Sequence, residues 1–179
     1  MKTTPTERQE MDEHLTGDAA IAKARQLLPG FRTAMLVTRA SGATALHMRP
    51  MGLQGDLSVF GGTLWFFTDD RSPKVQEIER DPTVSLVFQN DQASQYLQLD
   101  GTAAVVSDRG KMRELFTPIT RTWFPGGLDD PHLTLLRINV IGGAFWESPG
   151  GMLQVLAAFT KSVVTGAPGK GGRAGTIDF

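Results

Sequence analysis

TLWFFTDDRSPKVQEI, residues Thr63 to Ile78, changes character halfway along. Its first half, Leu64-Trp65-Phe66-Phe67-Thr68, is short and aromatic and lies between Gly61-Gly62 and Asp69-Asp70. That composition is that of a β-strand. Its second half opens on Ser72-Pro73. A serine at the N-cap and a proline at the first helical position start a helix, and Val75 and Ile78 give it a short apolar face. A strand therefore runs through a tight turn into a helix. The Ser72 hydroxyl, Lys74 and the free N–H groups of the first turn gather at the helix start, an arrangement suited to phosphate. The plainer reading is a capped helix whose lysine faces water.

On either side of this stretch the chain reads mainly as strands. Residues 1–17 are polar and read as a flexible lead-in. Asp18 caps an alanine-rich helix, Ala19 to Leu28, which Pro29-Gly30 stops. Phe31–Thr38 and Thr44–Met51 form a hairpin around Ser41-Gly42. In its second arm Ala45, His47, Arg49 and Met51 share one face, and Leu46, Met48 and Pro50 share the other. Pro50 donates no ladder hydrogen bond, which puts this strand at or near an edge. After Asp81-Pro82, strands are predicted over 83–89 and 96–106, then a short helix over 108–116 and a loop over 117–132. Leu133–Val140 and Ala144–Glu147 read as a closing pair turning at Gly142-Gly143, with a last helix over 152–164. The single domain spans 18–164, and the glycine-rich tail, 165–179, reads as disordered or draped on a partner. Short helices between neighbouring strands, without strict alternation, favour an antiparallel barrel of six strands with helices packed outside.

At 179 residues with a net charge of −1, the chain can bury a substantial core and gives no electrostatic pointer to nucleic acid or membrane. It has no cysteine, which excludes disulfides, thiolate nucleophiles and iron–sulfur clusters. The polar N-terminus lacks a signal-like apolar run, so a cytoplasmic location is expected. Gly169-Lys170 lacks the following serine or threonine of a nucleotide-binding loop.

Arg49 is the second pointer to chemistry. If its strand pairs with the Leu64–Thr68 strand, Arg49 and Lys74 converge on one dianion: a bidentate guanidinium, a point charge, and the Ser72 hydroxyl to complete the cage. A snorkelling surface arginine is the alternative. His14 is expected in the lead-in, and His47 and His132 lack a recognisable carboxylate partner, so no metal site is expected. Asp129-Asp130, before Pro131, reads as a turn pair accepting backbone hydrogen bonds. Trp123 and Phe124, among prolines and glycines, read either as a ring- or partner-contacting pair or as a loop anchor.

The run His47-Met48-Arg49-Pro50-Met51, then Leu64–Thr68, then Ser72-Pro73-Lys74 resembles the general stress protein 26 group. That group belongs to the pyridoxamine 5′-phosphate oxidase-like flavoproteins with the FMN-binding split β-barrel. Asp81-Pro82-Thr83-Val84, Leu99–Ala103, Trp123–Gly127, Asp129–Pro131 and Trp146-Glu147 extend the resemblance across about Ala19 to Gly150. It implies a homodimer with FMN, or alternatively FAD, in clefts between subunits. It implies Arg49, Ser72 and Lys74 on the phosphate, with Pro50, Met51, Phe67 and Thr68 along the ribityl chain and ring and Trp123 near the ring. No catalytic residue is singled out. The arginine- and histidine-bearing C-terminal segment of true pyridoxamine phosphate oxidases is missing, Arg173 standing alone there. The expected function is thus an FMN-dependent oxidoreductase on an unknown small molecule, with NAD(P)H as a candidate electron donor. A flavin store or sensor without turnover, or the same barrel holding haem or a deazaflavin, is the alternative.

Overall fold

The computed structural model describes residues 13–40, 45–148 and 172–179. They form one eight-stranded sheet with short helices at the joints. In chain order these are β1 (Glu13–Thr16), α1 (Gly17–Leu27), β2 (Thr33–Arg39), β3 (Leu46–Gly52) and β4 (Thr63–Asp69). Then come α2 (Pro73–Arg80), β5 (Thr83–Asn90), β6 (Gln95–Val106), α3 (Arg109–Leu115), α4 (Pro118–Trp123), β7 (Leu133–Glu147) and β8 (Arg173–Asp178). Strands are ordered β1-β8-β7-β6-β5-β2-β3, and β4 joins at β7. Every pairing is antiparallel except β1 with β8.

β7 organises the sheet. Along one side it carries β6; along the other it pairs first with β4 over 133–139 and then with β8 over 142–147. It is one strand, not a pair turning at Gly142-Gly143. Those glycines serve close approach. A Cβ on Gly143 would lie 2.0 Å from Gln98 O, and one on Gly142 would lie 3.0 Å from Ile177 O. The ladder with β6 shifts register at Asp100/Gly101, a bulge that bends the strand.

The count of six strands is exceeded because both termini contribute. The expected lead-in supplies β1 and the glycine-rich tail supplies β8, which is sandwiched between β1 and β7. Gly175 permits this: its Cβ position falls 2.5 Å from Glu13 O and 2.8 Å from the Phe145 ring. Thr16, two residues before the expected Asp18, holds the N-cap position of α1 without a side-chain capping bond, and Asp18 lies in the first turn beside the positive end of the helix dipole. The segment read as a loop over 117–132 holds α4, closed by a capping box between Thr117 and Thr120, and a 3₁₀ turn at 127–129. The helix expected over 152–164, the Ser41-Gly42 turn and Gly169-Lys170 lie outside the described residues.

Two apolar clusters divide at β4. Leu64 and Phe66 face the main core with Leu36, Leu86, Leu99, Ile138 and Phe145. Phe67 faces the opposite way, with Met112, Leu115, Leu133 and Leu135, under α3. β3 is an edge strand, as Pro50 required, and it does not pair with β4. One backbone bond, Gln54 N–H to Trp65 O at 3.2 Å, ties the chain beyond β3 to β4.

Candidate functional site

Three strands turn polar at one end of the main core. The inward row of β2 runs Ala34, Leu36, Thr38; that of β3 runs Met51, Arg49, His47; that of β4 runs Leu64, Phe66, Thr68. α2 supplies the polar side chain that joins them, Glu77, only 5% exposed. Its carboxylate accepts from Thr38 Oγ1 at 2.5 Å, His47 Nδ1 at 2.6 Å and Arg49 Nη2 at 2.6 Å. Arg49 Nη1 also donates to Thr38 Oγ1. Burial pushes the Glu77 carboxyl up, but these three hydrogen bonds and the Arg49 charge outweigh it and bring the pKa down to about 2. Glu77 stays ionised, as a buried charge with this many partners can.

Lys74 sits one helical turn before Glu77, at the start of the same helix. It is half-buried and, among the described residues, has no carboxylate within ion-pairing distance. Burial first, and then the Arg49 charge, push its ammonium below the ordinary lysine value; Asp69 and Glu77 pull the other way. Ser72 occupies the N-cap, yet its hydroxyl makes no capping bond. It lies 3.3 Å from Thr68 Oγ1 instead. The Lys74 N–H has no acceptor among the described residues, while Val75 N–H turns back to Ser72 O at 3.0 Å. The turn is fixed from within, where Asp69 accepts from Arg71 N–H at 2.8 Å, and from outside, where Asp70 N–H donates to His132 O at 2.9 Å.

Arg49, Thr68, Ser72 and Lys74 thus come together at the start of α2. The route differs from the expected one. β4 pairs with β7, and it is α2, not strand pairing, that brings Lys74 within the field of Arg49. The other predicted residues stand apart: Pro50 on the exposed face of β3, Met51 in the main core, and Phe67 in the second cluster. Phe124 packs on Phe67 with ring centroids 6.3 Å apart, the anchoring role. Trp123 is 79% exposed on α4.

Sequence reasoning missed Glu77, and with it the carboxylate partner of His47; helical spacing from Lys74 was the available signal. It also missed Thr38, which an inward polar residue closing an apolar row could have flagged. His132 likewise has a carboxylate, Asp70 Oδ1 at 3.0 Å. His14, expected in a mobile lead-in, is fixed in β1 with Nδ1 2.7 Å from Thr176 Oγ1. Asp130 behaves as expected, accepting from His132 N–H at 2.9 Å. No helix among the described residues is long and apolar enough to cross a membrane.

Comparison with known proteins adds a family to this geometry. Protein bli-3 of Neurospora crassa is 25% identical over 173 residues, covering 92% of this chain and 82% of that protein. A structure described as general stress protein 26 from a Jannaschia species superposes with a TM-score of 0.72 at 25% identity, over 89% of this chain and 98% of that one. The general stress FMN/FAD binding protein of Xanthomonas citri superposes with a TM-score of 0.63 at 25% identity, over 76% of this chain and 94% of that one. The description "pyridoxamine 5′-phosphate oxidase like" matches residues 19–169. With most of its length so matched, and with general stress proteins among its structural neighbours, the chain belongs to the pyridoxamine 5′-phosphate oxidase-like family.

Proposed function

We propose that the chain binds FMN through its terminal phosphate at the start of α2 and acts as an oxidoreductase on a small molecule. The observation that carries this reading is Lys74: half-buried, beside Arg49, and without a carboxylate of its own among the described residues. Two cations in one place repel each other unless an anion joins them. The Lys74 N–H, which has no acceptor among the described residues, and the Ser72 hydroxyl, which is engaged only with Thr68 Oγ1, add neutral donors for phosphate oxygens. Arg49 would offer its remaining donors from a fixed position, since Glu77 and Thr38 already hold its guanidinium. FMN ends in a dianionic monoester, which suits two cations better than the singly charged phosphates of FAD.

Bound flavin supplies hydride and electron transfer. The chain's part is to hold and orient it, with the backbone of Pro50, Met51, Phe67 and Thr68 along the ribityl chain. We place the cofactor at the interface of a homodimer, with Trp123 near the ring. Support comes from the edge strand β3, whose outward Leu46 and Met48 are exposed large apolar residues next to Pro50. Such an edge invites a second copy of the chain to cover it. In this reading six strands, β2 to β7, make the split barrel, with the helices outside it and β1 and β8 as additions. The protein works in the cytoplasm, with NAD(P)H as the electron donor.

The test is direct. The purified protein should carry a yellow chromophore whose mass is that of FMN, and NAD(P)H should bleach it under anaerobic conditions. A colourless protein that does not take up added FMN refutes the binding; bound FMN that NAD(P)H leaves oxidised refutes that donor.

A further inference from the structure

Away from the start of α2, α3 and α4 face each other across a hollow of about 490 Å³ lined by Arg109, Arg113, Arg121, Leu128 and Asp129. Arg109 and Arg113 lie four residues apart on α3, so they share one helix face, a spacing at which like charges repel. Arg121 adds a third guanidinium from α4. The only carboxylate in the lining is Asp129, and among the described residues none of the three arginines has a carboxylate within ion-pairing distance. The chain as a whole is nearly neutral, so this excess of positive charge is local.

Two of the three guanidinium groups are held in place. Arg109 Nη1 donates to Leu128 O at 2.6 Å. Arg121 rests on the Phe116 ring, 6.0 Å from its centroid. Gly127, whose φ of +63° suits glycine, sets the turn beside Arg121. Orienting two planar forks toward one hollow lowers the ordering cost of binding an anion there.

We infer that this hollow is a second anion site, which takes the phosphate or diphosphate group of a small-molecule ligand. It shares no lining residue with the Arg49–Ser72–Lys74 cluster, and the inference does not depend on flavin binding. Arginine forks match phosphate oxygens in pairs, and a diphosphate has enough oxygens to engage all three.

The test is calorimetric titration of the full-length protein with inorganic pyrophosphate at low salt, repeated with ADP. Wild-type protein should bind pyrophosphate saturably at low-millimolar concentration or tighter, and binding should weaken as salt is added. Arg113→Gln and Arg121→Gln should each weaken it by roughly tenfold. Arg113 is exposed and without a described partner, so its replacement leaves the fold intact, and a thermal melt confirms this. Saturating FMN, which would fill the start of α2, should leave pyrophosphate binding unchanged. ADP binding as tightly as pyrophosphate assigns the phosphates alone as the recognised group; tighter ADP binding assigns a nucleotide. The inference is overturned if no saturable binding occurs or if both arginine variants bind like wild type. It is also overturned if saturating FMN or Lys74→Ala alone abolishes binding, which would place pyrophosphate at the start of α2 and leave the flavin reading standing.

Discussion

Two carboxylates withdrawn from water, Glu77 on α2 and Glu147 at the end of β7, each hold a cation, but they hold it facing different ways. Glu147 pairs with Lys23, which is 7% exposed, and Gln95 Nε2 donates to it at 3.1 Å. The Lys23 ammonium also lies 4.4 Å from the Phe145 ring centroid. That cation is enclosed, and the pair fastens α1 to the sheet. Glu77 pairs with Arg49, which is 21% exposed, and with His47, which is 55% exposed. Beside Arg49 lies a second cation, Lys74, that no carboxylate matches among the described residues. A closed pair is a fastening; an open pair with an unmatched neighbour is where the proposed function puts the phosphate.

The comparison predicts the largest effects where a buried charge loses its partner. Lys23→Met should destabilise the protein by about 3–5 kcal/mol in urea denaturation, because it leaves the largely buried Glu147 unpaired, and Glu77→Ala by less, because the Arg49 and His47 it leaves are partly open to water. Only Glu77→Ala should also weaken FMN, since it frees Arg49 from its fixed position. A Lys23→Met protein that folds but loses FMN would break the distinction.

Acid should separate the two as well. The Glu77 carboxyl has a folded pKa of about 2 against an ordinary 4.5. Its contribution to stability is therefore complete above about pH 4.5 and is lost as pH falls from there toward 2. At about 1.4 kcal/mol per pKa unit this comes to roughly 3 kcal/mol. Stability measured between pH 6 and pH 2 should fall less steeply in Glu77→Gln than in wild type, and parallel slopes would contradict the assignment.

Lys74→Ala should weaken FMN by about 1.5–3 kcal/mol, as for loss of hydrogen bonds to a charged group. It should leave stability unchanged or raised, because it removes a half-buried cation beside Arg49. A drop in stability larger than the drop in affinity would make Lys74 structural. The smallest effect is expected at Trp123. At 79% exposure, Trp123→Ala should change stability by no more than about 0.5 kcal/mol, so any loss of flavin or of the dimer in that variant reports on contact with the ring or a second copy.

Much of the site was legible from local rules, and what was missed is long-range. Period-two alternation put Arg49 and His47 on one strand face, and Ser72-Pro73 marked the start of α2; both are as observed. The edge position of β3 followed from Pro50. Strand partners did not follow: nothing near Leu64–Thr68 says that its ladder lies with Leu133–Asn139 and not with β3. Glycine misled twice for one reason. At Gly142-Gly143 and in the tail it was read as turn or disorder, whereas it clears space for a neighbouring backbone, a need visible only once the strands are packed. Glu77 escaped because a charged residue in a short amphipathic helix reads as solvated, until the polar ends of three strands arrive beneath it.

The central claim is that Arg49, Ser72 and Lys74 recognise a phosphoryl group. Titrating FMN and riboflavin into flavin-free protein tests it most directly, since the two ligands share a ring and differ in the phosphate. FMN should bind at least about a hundredfold more tightly than riboflavin, the sum of two charge-assisted contacts, and Lys74→Ala should narrow that gap by about tenfold or more while leaving riboflavin unchanged. Equal affinities for FMN and riboflavin, or a gap that Lys74→Ala leaves intact, would contradict it.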